Sequence, residues 1–185
     1  MLLFPAFISH AQQDNIAQRI FLVGDAGQLK DGKNPVCDWL KQHVDWNDST
    51  NTIIYLGNNI YPSGMPDEGS NNYFTAKEVL DYQLSLVQGK KAKCFFIPGN
   101  LDWQDGKYNG LNQIRNEWQY INKLQLSNVQ MMPSNGCPGP VEVQLGEKTI
   151  LVFMDSQWWL QQGEKTGIES DCEFKTEDDV ITALK

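Results

Sequence analysis

The sequence predicts an α/β domain, a parallel sheet with helices outside it and a β-hairpin following. Three observations predict it. Apolar runs of strand length alternate with stretches of helical periodicity in the order β-α-β-α-β-α. Each strand-like run ends in a glycine-containing loop: Gly24-Asp25-Ala26-Gly27, then Gly57-Asn58-Asn59-Ile60-Tyr61, then Gly99-Asn100-Leu101-Asp102. Beyond Pro133, simple alternation replaces the helical period. Strands joined through helices run parallel by right-handed crossovers. Loops at the carboxyl ends of neighbouring parallel strands then converge on one crevice.

Taken in order, Ile16 to Val23 reads as the first strand, leading to the Asp25 loop. Asn34-Pro35 is a helix start, with Asn as N-cap and Pro at the first helical position. Val36, Cys37, Leu40 and Val44 recur on one face of that helix. Thr52 to Leu56 is the second strand, and Pro62 to Ser70 continues its loop as a turn-rich rim. Ala76, Val79, Leu80, Leu84 and Val87 mark a second amphipathic helix stopped near Gly89. Cys94 to Ile97 is a third short strand, and Leu111, Ile114, Trp118 and Ile121 mark a third helix. Val141, Val143 and Leu145 alternate with polar residues, Gly146-Glu147 turns the chain, and Thr149 to Met154 is apolar throughout, which reads as a hairpin added to the sheet. A short helix is expected from about Thr176 to the end.

At 185 residues the chain fits one domain with a sizeable core. A formal net charge of −8 argues against nucleic acid or an anionic membrane as the main partner. It leaves phosphate ligands open, because a bound cation reverses the sign of a site. The run Met1 to Ala11 is apolar and ends in Ser-x-Ala, like a secretory h-region and its cleavage site, although it lacks a positive n-region. The expected division is therefore residues 1–11 as a signal-peptide remnant and 12–185 as the domain, exported to periplasm, cell surface or medium. A first strand or an irregular terminus is the plainer alternative. No other run is apolar and long enough to span a bilayer. Cys37 and Cys94 fall in buried patterns, whereas Cys137 and Cys172 lie in loop-like segments where a disulfide would suit an exported protein. Spacing alone does not establish that pairing.

The three loops present oxygen donors, the chemistry of a hard or borderline cation site. Their motifs, Gly-Asp-x-Gly, Gly-Asn-x-x-Tyr and Gly-Asn-Leu-Asp, resemble the metallophosphoesterase (calcineurin-like phosphoesterase) superfamily, and more closely its purple-acid-phosphatase-like branch. That branch is written Asp-x-Gly, Gly-Asp-x-x-Tyr and Gly-Asn-His-Asp/Glu, followed by Val-x-x-His and Gly-His-x-His. The match covers Phe21 to Trp103 in order, strand context and spacing. Each motif alone is weakly specific; three in succession are strongly so.

The resemblance implies a layered β-sandwich flanked by helices, incomplete at the C-terminus, from a longer chain with further segments downstream. It implies hydrolysis of a phosphate-ester substrate at two divalent or trivalent metal ions, Fe paired with Fe, Zn or Mn. Asp25 would ligate the first metal, and Tyr61 would be the phenolate that selects ferric iron there. Asn100 would give its amide oxygen to the second metal. The bridging carboxylate falls at Asn58, and the catalytic imidazole falls at Leu101.

Those two departures remove a bridging charge and a proton donor. The histidine motifs are absent, since the only histidines are His10 and His43, the latter expected on a helix surface. The expected activity of this chain is therefore impaired or lost, and the alternative is a non-catalytic relative that binds or scaffolds. A nucleotide-binding domain of another kind is disfavoured, because no Gly-x-Gly-x-x-Gly or Walker-type loop follows the first strand. Each residue also has a plainer role. Asp25 could end its strand in an Asx-type turn. Asn58 and Asn59 are turn residues tolerant of left-handed backbone. Tyr61 could cap the core with its ring. Asn100 could tie down its loop, Asp102 could cap the following turn, and Trp158 and Trp159 could be packing residues.

Overall fold

In the computed structural model, which describes residues 16–185, the chain builds a four-stranded parallel sheet and a separate two-stranded antiparallel sheet, with helices. The order is β1 (Arg19–Val23), α1 (Pro35–His43), β2 (Asn51–Tyr55), α2 (Tyr73–Ser85), β3 (Lys93–Phe96), α3 (Gly110–Lys123), β4 (Val129–Met131), β5 (Val141–Gln144), β6 (Ile150–Phe153), α4 (Ser156–Leu160) and α5 (Glu177–Ala183). The signal-peptide expectation lies outside the described residues. The first strand begins at Arg19, three residues later than its apolar pattern suggests, and Ile16 is exposed. Among the described residues no helix is long and apolar enough to cross a membrane.

Strand order β1-β2-β3-β4 follows the chain, and every neighbouring pair is parallel. Register gives the sheet two different faces. Phe21, Val23, Ile53, Tyr55, Cys94, Phe96, Val129 and Met131 point one way and pack with Leu40, Leu80, Ile114 and Ile121 of the helices in the main core. Removing a large apolar side chain from water contributes about 1.5–3 kcal/mol each. The opposite face carries Ile54 and Phe95, which pack with Leu145 and Phe153 in a second cluster.

The hairpin is thus not an extension of the first sheet; β5 and β6 pair only with each other and lie across it as a second layer. The alternation of Val141 and Val143 opposite Phe153 and Leu151 puts their side chains inward. Two strands cannot cover four. Ile20 and Leu22 share the face of Ile54, yet Leu22 is 65% exposed where Ile54 is 5%.

The helices are placed by polar side chains that also reach the loops. Asn34 caps α1, its Oδ1 accepting from the Val36 and Cys37 amides, while its Nδ2 donates to the carbonyls of Ala26 and Gln28. Cys137 and Cys172 are joined in a disulfide that ties the segment before β5 to the one before α5.

Candidate functional site

The three glycine-containing loops meet backbone to backbone. A Cβ on Gly27 would lie 2.4 Å from the Asn58 carbonyl oxygen, and one on Gly57 would lie 2.6 Å from the Gly99 Cα. No residue with a side chain permits those approaches. The Tyr61 amide donates to the Gly27 carbonyl at 2.8 Å, closing the first loop on the second. Asp25 (φ 53°) and Asn58 (φ 56°) both adopt left-handed backbone, a region that Asp and Asn tolerate better than most residues.

Beneath the tips lies a set of buried polar side chains that holds the loops together. Asp102 has no exposed surface and accepts from the amides of Gly99 (2.8 Å), Asn59 (2.9 Å) and Ile60 (3.1 Å). It therefore pins the second loop to the third and does not cap the turn after it. Asn59 donates its Nδ2 to the Ile97 carbonyl and to Glu117 of α3. Gln83 of α2 donates to the carbonyls of Ala26 and Asn59. Burial pushes Glu117 well above the usual carboxylate range, and the neighbouring Asp102 charge adds to the rise. Burial also raises Asp102, but its three amide donors favour the charged form. Of the pair, Glu117 is the carboxyl pushed toward the protonated form, and Asp102 the one whose amide donors favour the charge.

At the exposed end, Asp25 Oδ1 accepts from Asn58 Nδ2 at 2.8 Å and from the Tyr61 hydroxyl at 3.0 Å. Donation from Asn58 first, and from Tyr61 second, holds Asp25 below its ordinary carboxylate value. The Tyr61 phenol is raised, by partial burial and then by the same carboxylate. Asn58 Oδ1 accepts from the Leu101 amide at 3.0 Å. Three of the four residues read as candidate ligands, Asp25, Asn58 and Tyr61, are thus in direct contact. The fourth, Asn100, lies one residue before Leu101, but its Nδ2 turns outward to Asp105 at 2.7 Å. At position 101 the backbone amide is engaged, and the half-buried leucine side chain offers no proton donor or acceptor. His43 is remote from the tips, stacked on Trp39 on the exposed face of α1.

Two metal ions sharing a bridging ligand need several anionic or imidazole donors. Among the described residues, no three His, Cys, Asp or Glu side chains cluster in a way that could hold one. Asp25 Oδ1 already takes two donors, and the amide of Asn58 is used at both ends. This donor set does not fit a dinuclear centre. What the arrangement does offer is the half-buried Tyr61 phenol, hydrogen-bonded to the exposed Asp25, in the lining of a groove of about 490 Å3 with Gly27, Leu29, Pro62, Glu78 and Val79.

From the sequence, no role is assigned to Gln83 or Glu117, and Asn59 and Asp102 are given only turn and cap roles. A signal existed for two of them. Glu117 falls between Ile114 and Ile121 on the apolar stripe of its helix, and Gln83 falls between Leu80 and Val87 on its own. A polar residue at the centre of an apolar stripe must find a partner inside. Scans of the chain against protein-family models, curated proteins and solved structures found no match.

Proposed function

We propose that this chain is a metallophosphoesterase-type α/β domain of purple-acid-phosphatase-like ancestry whose loop-tip centre, as it stands, has lost hydrolysis. The motif order over Phe21 to Trp103 supports the ancestry. One observation carries the loss of chemistry. The amide of Asn58 occupies the space between Asp25 and the Leu101 amide, where a metal-bridging carboxylate would have to serve two cations. Without those cations an ionised Asp25 repels a phosphate ester.

Hydrolysis by the chain as it stands is the competing reading, favoured by the contact among Asp25, Asn58 and Tyr61. An aryl phosphate assay with added Mn²⁺, Fe or Zn²⁺ separates the two. We expect no turnover by the unaltered chain, and partial rescue only when Asn58→Asp and Leu101→His are combined. Metal-dependent turnover by the unaltered sequence would overturn the proposal. The Cys137–Cys172 disulfide supports export to an oxidising compartment.

A further inference from the structure

We infer that Asn58 is a latch that joins the first and third loop tips without any metal, taking over the cross-linking a cation would otherwise supply. The latch itself stands on geometry, and the comparison with a cation rests on the ancestry proposed above. An amide is the one short side chain that donates and accepts from opposite ends. Here both ends are used, Nδ2 toward the Asp25 carboxylate at 2.8 Å and Oδ1 toward the Leu101 amide at 3.0 Å. The residue that bears it is set in left-handed backbone (φ 56°), which Asn accepts at little cost. Its backbone is also gripped from both sides, by Gly27 against its carbonyl and by Gly99 against its amide.

Replacing the amide with a carboxylate inverts the contact. Asp at 58 would still accept from Leu101, but it would face Asp25 oxygen to oxygen with like charge. At a pH well above the carboxylate range, where the two cannot share a proton, such a pair is held together by a cation or pushed apart. The two states of the residue thus define two regimes, one closed and indifferent to metal, the other open until metal arrives. Replacing Asn58 with alanine removes the latch without adding charge.

Thermal unfolding of the whole chain in chelator, and then with Mn²⁺ or Zn²⁺ in excess, tests this. The parent should melt at the same temperature in all conditions. Asn58→Ala should melt about 2 to 6 °C lower, from two lost hydrogen bonds, and also ignore metal. Asn58→Asp should melt lower in chelator and recover by several degrees with cation, or fold only when cation is present. A parent stabilised by metal as strongly as Asn58→Asp would overturn the inference. So would an Asn58→Ala chain that melts with the parent, or an Asn58→Asp chain as stable as the parent in chelator. If Asn58→Asp folds under neither condition, the parent and Asn58→Ala results decide. Turnover assays do not enter, so failure here is distinct from failure of the proposed function.

Discussion

Removing the carboxylate of Asp102 tests whether the loops are held from below. In Asp102→Ala, three amides, those of Gly99, Asn59 and Ile60, lose their acceptor in a place without solvent. An unsatisfied buried donor costs about 1–3 kcal/mol, so the three together cost roughly 3–9 kcal/mol. Part of that is returned, because a buried carboxylate no longer has to be desolvated and its repulsion of Glu117 disappears. A net loss of about 3–5 kcal/mol is expected, which for a domain of this size lowers the melting temperature by roughly 6 to 20 °C. Asp102→Asn keeps one good acceptor and turns an amide nitrogen toward at least one donor, so it should fall between parent and alanine. Thermal melts followed by circular dichroism give the order. Hydrogen exchange gives the place, with faster exchange expected at Asn59, Ile60 and Gly99 in the Asn variant. An alanine variant melting within about 2 °C of the parent would refute the idea that Asp102 pins the second loop to the third.

Two further outcomes follow from the same site. Gly99→Ala would put a methyl 2.5 Å from the Asn58 amide nitrogen and 2.6 Å from its Oδ1, so it should destabilise by about 1–3 kcal/mol in urea titration. Gly24→Ala, one residue before Asp25 but with nothing within 4 Å, should stay within about 0.5 kcal/mol of the parent. Equal effects would mean that the tips are not in close contact. Glu117 supplies a pH signature. Burial raises its folded value well above the ordinary glutamate value of 4.5, so just above that pH the folded chain holds a proton that the unfolded chain releases. Its contribution is complete at low pH and declines as pH rises above that value, by about 1.4 kcal/mol per unit, until the folded group ionises. Glu117→Gln does not titrate, so denaturation across about pH 5 to 8 should show the parent losing stability relative to the variant. A constant difference across that range would show that Glu117 is already ionised in the fold.

What the sequence disclosed of this fold was whatever is written locally. The strand-loop junctions at Asp25, Asn58 and Asn100 were legible because an apolar run followed by glycine and a polar residue is a short-range pattern. The Asn34-Pro35 helix start was legible for the same reason, and the structure has α1 begin at Pro35. β4, three residues long at Val129–Met131, escaped because nothing in so short a run separates a strand from a loop; only its pairing with β3 defines it. α4 escaped too, although Asp155 caps it by accepting from the Gln157 and Trp158 amides. The residue pattern reads the hairpin as added to the first sheet, because alternation at Val141 and Val143 gives a strand its inward face but not the sheet it belongs to. Only the resemblance, with its layered β-sandwich, implies a second sheet there. Asp102 was read as a local cap because its partners at Asn59 and Ile60 lie 43 and 42 residues away.

The groups that assemble the loops and the groups that would do chemistry at their tips are different residues. Asn34, Asn59, Gln83, Asp102 and Glu117 hold the loops together from below, and all five are buried. Asn58, Asn100 and Leu101 sit above them, half-buried or exposed. A substitution in the upper set removes none of the hydrogen bonds made by the lower set, although Asn58 adds a link of its own between the tips. The separation has a limit, however, since the exposed Asp25 carboxylate takes part in holding the tips together. In this chain the donors are Asn58 and Tyr61. An amide at position 58 is then a coherent alternative to a metal site, because it supplies from the protein itself the hydrogen bonds that link Asp25 to the Leu101 amide and hold the loop tips together.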